Sequence, residues 1–166
     1  MPQPHRTNGV KFLSGADMIE GARVIPLRRI PDERGTVYHM LKRTDPHFTQ
    51  FGEIYFSTIY PGVVKGWHKH REMTLNYACI LGSVKVVMYD ERKSSPTKGT
   101  LVEVYLGPDN YSLLIIPPDV WNGFKGMWAP YSIMANCCTH PHDPNLSTRL
   151  DPYKNHIPYT WEVKNE

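Results

Sequence analysis

The chain has no run of about eighteen apolar residues, so a membrane-spanning helix is not expected. Its N-terminus lacks a signal-peptide pattern, which points to the cytoplasm. Cysteine is scarce: three residues, two of them adjacent (Cys137 and Cys138), which is no disulfide framework. Charge of one sign is also scarce. The formal net charge is +3, and lysine and arginine are scattered without a basic stripe, so nucleic acid is not an expected partner. There is no internal repeat and no low-complexity linker, and helical periodicity is weak throughout. Fifteen prolines and twelve glycines are spread among many short apolar runs, a turn-rich all-β pattern. At 166 residues, the chain is long enough for a real core and short for two domains. A single domain over 1–166 is expected, with its core at about 22–138 and a wrapping segment at 139–166.

Short strands are expected from Ala22 to Leu27, Thr36 to Leu41, Glu53 to Tyr60, Thr100 to Leu106, Tyr111 to Ile116 and Tyr131 to Asn136. Asn76–Leu81 and Ser83–Tyr89 read as a tight hairpin about Gly82, and residues 16–21 as one short helical turn. The segment GVVKGWHKHREMTLNYACILG, Gly62 to Gly82, carries the chemistry. Residues i and i+2 of a strand face the same way, so His68 and His70 project into one space. Gly-x5-His-x-His with a glycine twelve residues on resembles the first motif of the cupins, which implies a jelly-roll (double-stranded β-helix) barrel. A metal is not expected, since Leu75 and Asn122 stand at cupin ligand positions. Two imidazoles and an amide poorly match zinc or iron(II).

Four further pieces resemble the dTDP-4-dehydrorhamnose 3,5-epimerase family: DERG at 32–35, KGWH at 65–68, YDERKSSPTKG at 89–99 and LLIIPPDVWNGF at 113–124. RLDP and IPYTW near the C-terminus add to the likeness. The resemblance implies an epimerase that takes a nucleotide-linked 4-keto-6-deoxy sugar, needs no cofactor, and removes a proton at C3, C5 or both. It also implies a homodimer joined through edge strands. By the same resemblance, His68 is the base and Asp151 the carboxylate that fixes its tautomer. Arg34 and Lys65 meet the phosphates, and His70, Tyr77 and Asn122 contact the substrate.

Two roles find no match. The family's lysine for the enolate oxygen falls on Leu75, and its tyrosine acid falls on Met134 or Ala135. Asn76 and Tyr131 are further nearby substitutes. Two alternatives stay open: a nucleotide-sugar 3,4-ketoisomerase, which also has His-x-His in this context, and a non-catalytic binding protein. Bland readings stand beside these. The histidines can line a wet lumen, Asp151 can cap a turn, and Arg34 can be an exposed turn residue. WNGF reads as a turn with a packed aromatic, His140 and His142 as a solvated loop, and Trp67 and Trp128 as core or as stacking partners for a base.

Overall fold

In the computed structural model, which describes residues 10–12 and 18–163, alternation along the strands sorts side chains into two layers. The strands are β1 Val10–Phe12, β2 Arg23–Pro26, β3 Arg29–Asp32, β4 Gly35–Tyr38, β5 Glu53–Ile59, β6 Val64–His70 and β7 Leu75–Leu81. They continue as β8 Val84–Asp90, β9 Leu101–Leu106, β10 Ser112–Ile116, β11 Val120–Gly126, β12 Ser132–Cys138 and β13 Ser147–Arg149. One sheet has the order β1-β9-β8-β11-β6-β13, and the other β2-β10-β7-β12-β5. All the ladders are antiparallel, and β3 and β4 form a separate hairpin. This is the expected all-β, jelly-roll architecture.

Val84, Val86 and Met88 of β8 point inward and meet Leu75, Tyr77, Leu114 and Met134 from the facing sheet. Burying apolar surface from both layers is the main stabilising term. Odd-numbered residues of β8 face outward, where Val87 joins Trp67, Leu101 and Trp121 in a second cluster. Ile157 and Trp161 of the C-terminal segment cover that cluster, so IPYTW is a strap over the six-stranded sheet. Trp67 is therefore core, whereas Trp128 is largely exposed.

Several local expectations need correction. β7 and β8 do not pair as a hairpin: β7 pairs with β10 and β12, and β8 with β9 and β11. Gly82 carries the chain from one sheet to the other with φ +74°. A Cβ there would also meet Ser132 Oγ at 2.5 Å. Strand period shows which face is buried and is silent about which sheet a strand joins. WNGF is not a turn but the middle of β11. The turn at DERG belongs to a hairpin whose first strand, β3, includes Pro31, a residue tolerated at a sheet edge. Of the expected helical turn at 16–21, residues 16–17 lie outside the described residues, and 18–21 form a bend and a turn.

The motif with the most specific spelling turns out to be a latch. Asp90 is fully buried and accepts hydrogen bonds from Arg92 Nε and Nη2, both at 2.9 Å, and from Ser95 Oγ and Thr97 Oγ1, at 2.5 and 2.7 Å. Arg92 also donates to Glu20 O at 2.7 Å, and Thr97 Oγ1 accepts from Glu20 N at 2.9 Å. Burial would raise the Asp90 carboxyl, yet the bonds from Arg92, Ser95 and Thr97 hold it well below the usual carboxylate range. DERKSSPTKG thus closes a loop and pins residue 20, away from the cavity.

Candidate active site

The inward face of β6 opens onto a cavity of about 430 Å³ between the two sheets. That size falls within the range of small-molecule sites, roughly 300–1,000 Å³. β6 can sit this deep because Gly66 and Gly123 of β11 touch backbone to backbone; a Cβ on Gly66 would lie 2.7 Å from Gly123 Cα. Trp161 lies against Gly123 from outside, so the KGWH and WNGF glycines and the C-terminal strap are one packing unit.

His68 lines the cavity and is partly accessible from it, with protein on its other sides. Burial, then the charges of His70, Arg149 and His142, lower its pKa to about 4. Every charge acting on the ring is cationic, so the imidazole is neutral near pH 7 and able to accept a proton. Tyr77 Oη lies 3.5 Å from His68 Nε2, at the outer limit of a hydrogen bond, and donates to Asn122 Oδ1 at 3.3 Å. The Asn122 amide is fixed because its Nδ2 donates to two carbonyls, His68 O at 3.1 Å and Val120 O at 3.4 Å. Its oxygen must then face Tyr77. Burial pushes the Tyr77 phenol well above its ordinary pKa, so it stays a neutral donor.

The expected His68–Asp151 dyad is not formed. Asp151 is exposed, and its Oδ1 accepts from the backbone N–H groups of Tyr153 and Lys154, both at 2.8 Å. That is the turn cap which an Asp before Pro favours. Its pKa is lowered by those bonds, and His68 is not among the causes. Asn122 and Tyr77 stand where the carboxylate was expected, holding the ring through one backbone and one phenol contact. Asp151→Asn is accordingly expected to leave turnover within about twofold, the surface range. A steady-state assay of the variant checks this.

The other expected contacts divide. Lys65 lines the cavity, and its Nζ donates to Thr58 O at 2.8 Å. His70 shares the inward side of β6 with His68, ring centroids 5.8 Å apart, but is not part of the cavity wall and faces His142 at 6.1 Å. Arg34 sits on the β3–β4 hairpin, 84% exposed and paired with Asp32 at 2.6 Å; it does not line this chain's cavity. Asn76 is consumed by Cys137 O and Asn136, and Tyr131 lies outside the cavity lining. Among the described residues, no three His, Cys, Asp or Glu side chains form a metal-ligand group.

Two cavity residues escaped the sequence reading. Arg149 of β13 is directly opposite His68 in the ladder and makes no ion pair among the described residues. Tyr55 lines the cavity from β5. The signal for Tyr55 was available in its alternation with Ser57 and Ile59; Arg149 opens the RLDP piece, but a three-residue strand is too short for alternation to assign it a face.

This jelly roll, with a neutral imidazole in its lumen beside Lys65 and Arg149, has the fold of the sugar-nucleotide epimerases. The match can be made closer: the model of the dTDP-4-dehydrorhamnose 3,5-epimerase family matches residues 16–166, and the chain belongs to that family. The probable low-salt glycan biosynthesis epimerase Agl13 of Haloferax volcanii is 34% identical over 143 residues, 85% of this chain and 88% of that one. The crystal structure of a dTDP sugar isomerase from Desulfovibrio desulfuricans G20 has a TM-score of 0.82 at 47% identity. It covers 86% of this chain and 92% of that one. A dTDP-4-dehydrorhamnose 3,5-epimerase from Bacillus anthracis shares the fold at a TM-score of 0.78 and 20% identity, with coverage of 94% and 92%.

Proposed function

We propose that the protein epimerises a nucleotide-linked 4-keto-6-deoxy sugar by removing the hydrogen at C3, C5 or both, with His68 as base. The observation that carries this is the His68 ring itself: neutral, inward-facing, and set in a cavity whose fixed charges are positive. A 4-ketone acidifies the adjoining C–H bonds, and a base in hydrogen-bond reach can then break one. The electron pair flows into the enolate, whose negative oxygen a nearby cation or donor stabilises. Arg149 and Lys65 are the cavity's cations for the enolate oxygen and the phosphates; Arg34 is not among the lining residues of this chain. Arginine's fork suits phosphate oxygens better than lysine's single ammonium. The ketoisomerase alternative draws less support, since it asks His70 to share the substrate and His70 turns toward His142.

The test is incubation with dTDP-4-keto-6-deoxyglucose, and its cytidine and guanosine counterparts, in heavy water followed by NMR. Deuterium entering C3 or C5 is the expected result. None entering from any of the three sinks the reading.

A homodimer in the cytoplasm completes the proposal. No described helix is long and apolar enough to cross a membrane. β5 is an edge of its sheet, with Ile54 49% and Phe56 62% exposed. An exposed apolar edge is an aggregation liability unless something covers it. A sedimentation run at micromolar concentration is expected to give twice the chain mass, and Phe56→Lys to halve it.

A further inference from the structure

Inverting a carbon requires a second proton carrier on the face opposite the base, and the family's usual position for one holds Met134 or Ala135. We propose that Tyr55 is that carrier, the general acid that returns a proton to the substrate carbon; this rests on the epimerase reading above. His68 is on β6 of the six-stranded sheet, and Tyr55 is on β5 of the other sheet, and both line the cavity between them. Both side chains therefore border the space a sugar enolate would occupy, and the proposal assigns them to its two faces.

The hydrogen bonds determine what the Tyr55 hydroxyl can do. Asn136 is buried, and its Oδ1 accepts from the Asn76 backbone N–H at 3.1 Å. An N–H can only donate, so this bond fixes the amide and turns Nδ2 toward Tyr55 Oη, at 2.9 Å. Tyr55 must accept there. Its own proton has no acceptor among the described residues, and the residue is 43% exposed, so water can reach it. Tyr77, the other cavity phenol, differs in this respect: its proton is spent on Asn122. Burial raises the Tyr55 phenol, while the Asn136 bond and the positive charge of Arg149 both favour its ionised form.

The step balances. His68 takes the proton from carbon, and the C–H electron pair enters the enolate. Tyr55 O–H then protonates that carbon from the other side as the carbonyl re-forms, leaving a phenolate. Water restores the phenol and removes the proton from His68, so no oxidant or co-reactant is consumed.

Tyr55→Phe separates this role from a structural one. The variant keeps the ring and the base, so His68 can still remove a proton and return a deuteron to the same face. Deuterium uptake into unreacted substrate is expected to persist within about threefold, while inverted product falls about a hundred- to ten-thousandfold, the worth of a placed acid. Equal loss of uptake and inversion, or a rise confined to KM, would overturn the assignment, and so would unchanged inversion. As a check independent of folding losses, a fluorotyrosine at 55, a stronger acid, is expected to move the alkaline limb of inversion to lower pH; an unmoved limb also overturns it. A wild-type protein that takes up no deuterium from any nucleotide ketosugar removes the epimerase reading itself, a different failure from an active wild type with an indifferent Tyr55.

Discussion

His68→Asn is expected to abolish solvent-deuterium uptake and lower kcat/KM by about a hundred- to ten-thousandfold, the range for losing a positioned base. The fold should survive, because an amide is smaller than the imidazole and has the cavity beside it. Thermal unfolding run alongside the kinetics separates lost chemistry from lost protein. The wild-type pH profile gives a second reading of the same residue. A base works when unprotonated, and His68 is held near 4 by burial and by His70, Arg149 and His142. In the free enzyme, kcat/KM should therefore stay flat as pH falls from 8 past 6, and drop only on approaching 4. An anionic diphosphate bound near Arg149 favours the imidazolium, so the acid limb of kcat, which reports the bound complex, should lie at higher pH than that of kcat/KM. Limbs that coincide near 6.5 would mean the ring is neither buried nor surrounded by cations.

The second large effect concerns stability. Asp90→Ala removes a fully buried carboxylate that four side-chain hydrogen bonds converge on, and leaves the Arg92 guanidinium without its counter-charge. Breaking a buried pair from one side costs about 3 kcal/mol. For a chain of this size, that corresponds to roughly 6–12 °C in Tm. The sign with pH follows from the lowered pKa: the stabilisation is present above the ordinary carboxylate range and fades as pH falls below it. At a temperature where the variant is folded, its kcat and KM should stay within about threefold of wild type. A large KM rise with unchanged Tm would instead make the Ser-Pro-Thr loop a substrate contact.

The sequence was most legible where one residue has a single physical job. Residue composition identified the runs that form β5 and β8, and the i, i+2 rule put His68 and His70 on one side of β6. Partnership between distant segments was harder to read. Nothing in ACILGSVKV tells a hairpin from a crossover between sheets, because both need a glycine with positive φ at 82. The resemblance gave Asp151 a catalytic role, but its neighbours gave it local N–H groups to bind, and local partners won. Asn122 was misjudged in the opposite direction. It looked like a degenerate ligand, yet its buried amide ties β6 to β11 and steadies the phenol beside the base. Tyr55 was legible and passed over: it shares a face of β5 with Ser57 and the buried Ile59.

β6 presents the proposed base to one side and Trp67 to the other, with Trp161 clamped across the glycine seam behind it. The strap at residues 157–161 is thus a keystone for a cavity it does not line. Trp161→Ala should therefore loosen the floor under His68 without removing any residue that lines the cavity.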